Sequence, residues 1–233
     1  KGKAKKEGKD QNVEGDIVYM KTVKGPLKVD CIYRRLDDNF LDPKTFYKGS
    51  LIGVPGLFKS WRKGNVGILN AIGTGVADDK VVYSYVNKMI IYYLGEQPIL
   101  NQVETYLCHE KKQREYVIDN ISKLVVKPAN ASGGYGIMIG PKADKSEREQ
   151  VIAKIKKNPR EYIAQPLETL STAPTITKNE IEPRHLDLRP FVLSGKSTYV
   201  TTGGLTRVAL RKGSTIVNSS QGGGSKDTLV VDD

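Results

Sequence analysis

A β-branched run that ends in lysine, meets a glycine-rich loop and resumes as an apolar run constrains this chain most. It reads Leu124-Val125-Val126-Lys127-Pro128-Ala129-Asn130-Ala131-Ser132-Gly133-Gly134-Tyr135-Gly136-Ile137-Met138-Ile139-Gly140. The pattern predicts a strand over Leu124–Lys127, a loop, and a second strand over Ile137–Ile139. Glycines let backbone amides come close to a triphosphate, and the lysine offers phosphate oxygens a compact charge. This is not a Walker loop, because no Gly-Lys-Ser/Thr follows and the loop opens a strand rather than a helix. The same geometry excludes a dinucleotide fingerprint. A tight hairpin with a chance lysine is the competing reading of this motif alone.

Three further segments carry chemistry. In Asn70–Lys80, a Gly73/Gly75 loop leads to a helix start near Asp78 and Asp79. That puts Lys80 in the first helical turn, an unfavourable place beside the helix dipole unless an anion is near. Pairing with either aspartate is the alternative. In His185-Leu186-Asp187-Leu188-Arg189-Pro190, strand alternation puts His185, Asp187 and Arg189 on one face and the leucines on the other. That face reads as a site wall, or as a structural Asp187–Arg189 ion pair. The last segment joins Gly203-Gly204-Leu205-Thr206-Arg207 to Asn218-Ser219-Ser220-Gln221-Gly222-Gly223-Gly224-Ser225-Lys226-Asp227. A strand arginine can stabilise a transferring phosphate, and Asn218 can bind phosphate or ligate a metal.

Composition narrows the class. The 233 residues suffice for one large domain or two intimate subdomains. No run of 18 apolar residues occurs and nothing at the start reads as a signal peptide, so a cytoplasmic protein without membrane contact is expected. Cys31 and Cys108 read as buried thiols, and two histidines cannot build a zinc site. The net charge of +11 is partly local, since Lys1, Lys3, Lys5, Lys6 and Lys9 crowd an opening without apolar period. Residues 1–14 therefore read as a basic mobile leader. With aromatic residues at 7% and no basic–aromatic stripe, nucleic acid is not an expected partner.

The remaining pattern is strand–turn–strand over Asp16–Thr22, Gly25–Pro26 and Lys28–Tyr33, then a loop-rich Pro43 to Pro55. Helices are expected at Leu57–Lys63, from Asp78 to Gly95, at Lys111–Asn120 and at Ser146–Asn158. Strands are expected at Val66–Leu69, Tyr162–Gln165, Leu186–Leu193, Ser197–Thr202, Leu205–Leu210, Thr215–Asn218 and Thr228–Val231. Mixed elements with many hairpins predict an α+β fold with largely antiparallel sheets.

Taken together, these segments resemble the circularly permuted ATP-grasp family (type 2), from about Gly15 to the end, and more distantly glutathionylspermidine synthetase. The likeness includes Tyr33-Arg34-Arg35-Leu36-Asp37-Asp38 and Tyr162-Ile163-Ala164-Gln165-Pro166. It implies two subdomains enclosing a nucleotide cleft, with residues 81–165 as the nucleotide-binding subdomain and 15–80 and 166–233 supplying the remaining sheet and phosphate-site elements. It also implies ATP and Mg2+, an unknown carboxylate and an unknown amine, joined as an amide through an acyl phosphate. Lys80 and Lys127 resemble the lysines that bracket the phosphates, and Ser132, Gly133, Gly134 and Gly136 the mobile loop above them. Gln165 resembles the hinge residue beside the adenine, Arg207 the arginine near the γ-phosphate, and Asn218 a phosphate or metal contact. Asp187 and Arg189 are further candidate active-site members. The family's Glu-x-Asn metal pair does not occur in this sequence. The resemblance places it upstream, in a missing amino-terminal part of the same protein, with Asp37, Asp38 and Asp227 at most assisting. A chain inactive alone is then expected, with a non-catalytic nucleotide-binding or partner-docking module as the alternative.

Overall fold

Gln11–Glu14 (β1) pairs antiparallel with Ile17–Thr22 (β2) around Gly15 and Asp16, both in positive-φ conformations. In the computed structural model, residues 11–131, 134–177, 180–214, 217 and 223–228 are described. Strand β1 lies within the stretch expected as leader, and residues 1–10 of that stretch lie outside the described residues. The chain divides into two units, Lys1–Tyr83 and Ser84–Asp233.

In the first unit, β2 continues into Gly25–Lys28 (β3) through a turn at Val23 and Lys24. Gly25 and Pro26 are thus the start of a strand, not the turn. The expected strand Lys28–Tyr33 is also split. Its second half, Cys31–Tyr33 (β4), leaves the hairpin and pairs in parallel with Gly67–Leu69 (β5). Parallel pairing requires a crossover, and Asp38–Leu41 (α1) and Leu57–Arg62 (α2) lie within it. Val18, Leu41, Val54, Leu57, Val66 and Ile68 form the core between them. The loop over 43–55 is held by Asp42, 1% exposed. Its carboxylate accepts the Lys44, Gly56 and Phe58 amides at 2.9, 3.1 and 3.0 Å, which satisfies a buried charge with oriented dipoles. Cys31 is exposed, contrary to the buried thiol expected, whereas Cys108 is buried.

A 3-10 turn at Thr74–Asp78 precedes Lys80–Tyr83 (α3). In the second unit comes Val86–Leu94 (α4), which ends at left-handed Gly95. The single helix expected from Asp78 to Gly95 is therefore two short pieces, preceded by the 3-10 turn. Val81, Val82, Tyr83, Tyr85 and Val86 are β-branched or aromatic, and such residues lose side-chain freedom in a helix.

Tyr106–Leu107 (β6), Leu124–Pro128 (β7), Met138–Ile139 (β8) and Tyr162–Pro166 (β9) make an antiparallel sheet in the order β6-β9-β7-β8. Helices Lys111–Asp119 (α5) and Lys145–Lys157 (α6) accompany it. Asp144 caps α6 by accepting the Glu147 amide at 2.8 Å. Strand alternation sends Leu124, Val126, Met138 and Ala164 into one core with Val117, Val151 and Ile155 of the helices. Each large apolar side chain buried there contributes about 1.5–3 kcal/mol. The other face is left to Val125, Lys127, Ile139 and Gln165.

A second antiparallel sheet follows the order β10-β11-β12-β13. Its strands are Thr172–Ile176 (β10), Ile181–Ser194 (β11), Thr198–Val208 (β12) and Gly224–Asp227 (β13). Gly203 and Gly204 do not divide β12 into the two strands expected. A Cβ on Gly204 would lie 3.1 Å from the Arg189 carbonyl oxygen, so glycine here permits close strand approach. β13 pairs antiparallel with Leu205–Val208 of β12. The expected strand Thr215–Asn218 lies outside the described residues except Val217, as does most of Thr228–Val231. The result is an α+β fold with mostly antiparallel sheets.

Candidate functional site

The face of the first sheet left free by the helix core lines a cavity of about 460 Å3, within the size range of small-molecule sites. Val125, Ile139 and Leu167 give it an apolar wall, Lys127 and Gln165 a polar one. Register explains the grouping. Gln165 lies opposite Val125 on β9, Ile139 opposite Val125 on β8, and Lys127 two residues along β7 on the same face. Lys127 Nζ donates to Gln165 Oε1 at 2.7 Å, and Gln165 Nε2 donates to Thr105 Oγ1 at 2.8 Å.

Asp187 and Arg189 of the second sheet line the same cavity. Their charged groups approach to 3.2 Å, so the ion pair and the site wall are one arrangement. His185 shares their strand, and its Nδ1 lies 2.8 Å from the Leu170 carbonyl oxygen. The leucines behind them do not form a solid core, since Leu188 is 58% exposed. Arg207 is the register partner of Asp187 on β12, and directly opposed residues share a face. Its Nε is buried and lacks a hydrogen-bond partner among the described residues. A buried donor of this kind fits an anion.

Gly134 lines the cavity, and Gly134 and Gly136 have φ of 81° and 72°, a backbone region that favours glycine. Ser132, Gly133 and Asn218 lie outside the described residues. Lys80 belongs to the first unit, at the start of α3 rather than within a long helix. Burial lowers its pKa, against the opposing pull of Asp79 and Asp78.

The loop before Lys80 is held by Arg34, whose side chain is 8% exposed. Its guanidinium donates to the carbonyls of Asn70, Leu36 and Ala71 at 2.7, 2.6 and 2.8 Å and pairs with Asp38 at 2.7 Å. Asp38 also accepts the Gly73 amide at 3.0 Å, and Asp37 caps α1 through the Asn39 amide at 2.9 Å. Asp227 lies on β13 opposite Leu205. Among the described residues no group of three or more His, Cys, Asp or Glu could hold a metal ion. These residues alone do not fit a magnesium ion, because Asp37 and Asp38 are committed to the backbone and to Arg34.

Sequence reasoning missed Val103, Thr105, Leu167 and Glu168. The last two directly follow Gln165-Pro166, so the strand that carries Gln165 could have suggested them. Val103 and Thr105 come from a segment with no periodic signal.

The cavity thus joins an apolar wall to Lys127 and to Gly134 of the glycine loop, and Arg207 is the register partner of one of its lining residues, Asp187. Residues 6–209 match the family model described as circularly permuted ATP-grasp type 2, and the chain belongs to that family. It is 56% identical over 226 residues to an uncharacterized protein of Synechocystis sp., covering 97% of this chain and 47% of that protein. It is 53% identical to an uncharacterized protein of Mycobacterium tuberculosis, covering 97% and 41%. A Frankia casuarinae protein named "Putative glutamate--cysteine ligase 2-2" is 47% identical over 217 residues, covering 93% and 25%. The chain thus spans less than half the length of these relatives. Among the described residues no helix is long and apolar enough to cross a membrane.

Proposed function

We propose that the chain is the nucleotide-binding part of an ATP-dependent carboxylate–amine ligase. The observation that carries this reading is the cavity in which an apolar wall ends at the Lys127 ammonium. Adenine packs against Val125, Ile139 and Leu167. Lys127 and, by family resemblance, Lys80 take the phosphates, under the loop of residues 132–136. Arg207, with Arg189 and Asp187 beside it, serves the transferring phosphoryl group, and Asn218 joins them as a phosphate or metal contact.

In this reading a carboxylate oxygen attacks the γ-phosphorus and ADP leaves, giving an acyl phosphate. The amine nitrogen then attacks the acyl carbon, loses a proton and expels phosphate as the amide forms. The protein supplies position and charge neutralisation, with no covalent nucleophile of its own. Magnesium ligands come from residues beyond those described, and no step is assigned to them. The name carried by the Frankia relative makes glutamate and cysteine the first acid and amine to test.

Phosphate release is the measurement. The 233-residue chain is expected to bind ATP weakly without amine-dependent turnover, while the longer protein turns over with magnesium and a matching acid and amine. Magnesium-dependent turnover by the 233-residue chain alone would overturn the assignment of the metal site.

A further inference from the structure

We propose that Thr105 is a positioning residue for Lys127, acting through the Gln165 side-chain amide. This rests on the nucleotide reading of the cavity and deepens it.

Four groups form one chain of hydrogen bonds. Thr105 Oγ1 donates to the Val103 carbonyl oxygen at 3.0 Å and accepts from Gln165 Nε2 at 2.8 Å. Gln165 Oε1 accepts from Lys127 Nζ at 2.7 Å. An amide side chain can be turned either way, so its orientation has to follow from its partners. Here both ends of the chain dictate the same answer. A carbonyl oxygen only accepts, so the hydroxyl proton goes to Val103 and leaves a lone pair for the Gln165 NH2. An ammonium only donates, so it requires the Gln165 oxygen.

The relay has one polarity, and the cost of reversing it is high because Gln165 is only 8% exposed. Lys127 is a flexible side chain. Anchoring its ammonium to a fixed oxygen holds the charge at the cavity wall before any anion arrives. Without the Thr105 hydroxyl, Gln165 Nε2 loses its acceptor, and the amide can turn its NH2 toward the ammonium, donor against donor.

The test combines nucleotide titration with NMR on the 233-residue chain. Thr105→Val keeps the branched shape and removes the hydroxyl, and Thr105→Ser keeps the hydroxyl. Thr105→Val is expected to weaken ATP binding by about 3- to 10-fold, the effect of one lost hydrogen bond. Thr105→Ser should retain most of the affinity. In a Lys127→Met background the Thr105→Val loss should vanish, because the residue acts through the lysine. An equal loss in both backgrounds overturns the proposal, as does Thr105→Ser behaving like Thr105→Val. The Gln165 side-chain amide signals, recorded without nucleotide, should shift in Thr105→Val and in Lys127→Met. Unmoved signals in Thr105→Val would also overturn the relay. If Lys127→Met alone leaves ATP affinity unchanged, the nucleotide reading fails, and the amide signals still decide the relay.

Discussion

Arg207 stands directly opposite Asp187 on neighbouring strands, and its buried Nε meets no hydrogen-bond partner among the described residues. A donor left so is costly to the fold. Replacing it with methionine removes that cost along with the charge. Arg207→Met is therefore expected to keep its melting temperature within a few degrees or raise it, while ATP affinity falls by about tenfold or more, as for a charge-assisted bond. A melting temperature that collapses would show that Arg207 is a structural residue.

Lys127 lines the cavity together with the charged residues Glu168, Asp187 and Arg189. Lys127→Met should weaken ATP binding by about 1–3 kcal/mol, the range for losing a charge-assisted contact. Raising the salt concentration should weaken the unsubstituted chain more than the variant, since screening acts on the charge removed. Calorimetry at two ionic strengths checks both. Equal affinities would count against the site.

Within the first unit, Arg34 holds three backbone carbonyls and Asp38. Breaking this nearly buried pair leaves an uncompensated carboxylate, so Arg34→Met is expected to cost about 3 kcal/mol in urea unfolding. Arg34→Lys should recover little, because an ammonium cannot reproduce the fork that spans Asn70, Leu36 and Ala71. Full recovery by lysine would show that only the charge matters.

Glu182 accepts from Lys212 at 2.8 Å and pairs with Arg184. The hydrogen bond from Lys212, then that from Arg184, holds its pKa below the ordinary 4.5. A depressed folded-state value means stability that is fully present above pH 4.5 and lost as pH falls through the lower native value. Glu182→Gln should thus lower the melting temperature at pH 7 and make little difference near pH 2. A deficit of the same size at both values would assign the effect to packing rather than charge.

The strand–glycine loop–strand unit was legible because its signals are local. β-Branched residues fix Leu124–Pro128 as a strand, and the glycines mark the turn. Alternation correctly put Asp187 and Arg189 on one face, since a strand's period allows no other result. The long helix expected after Asp78 was misread because apolar spacing looked helical while β-branched and aromatic residues opposed it. The break expected at Gly203-Gly204 failed for another reason. There Gly204 answers the closeness of Arg189 on β11, a residue fifteen positions away, and no local pattern carries that.

The sequence by itself determined the kind of elements, the candidate charges and the family likeness, since these depend on neighbours along the chain. Only the tertiary structure decided what each charge does. Sheet register set Gln165 beside Lys127 across 38 residues and linked it to Thr105 across 60. It also set Arg207 opposite Asp187. The physical reason is that a hydrogen bond or ion pair forms only between groups within about 3 Å in suitable directions. Those distances are fixed by long-range strand pairing, which spacing along the chain does not encode.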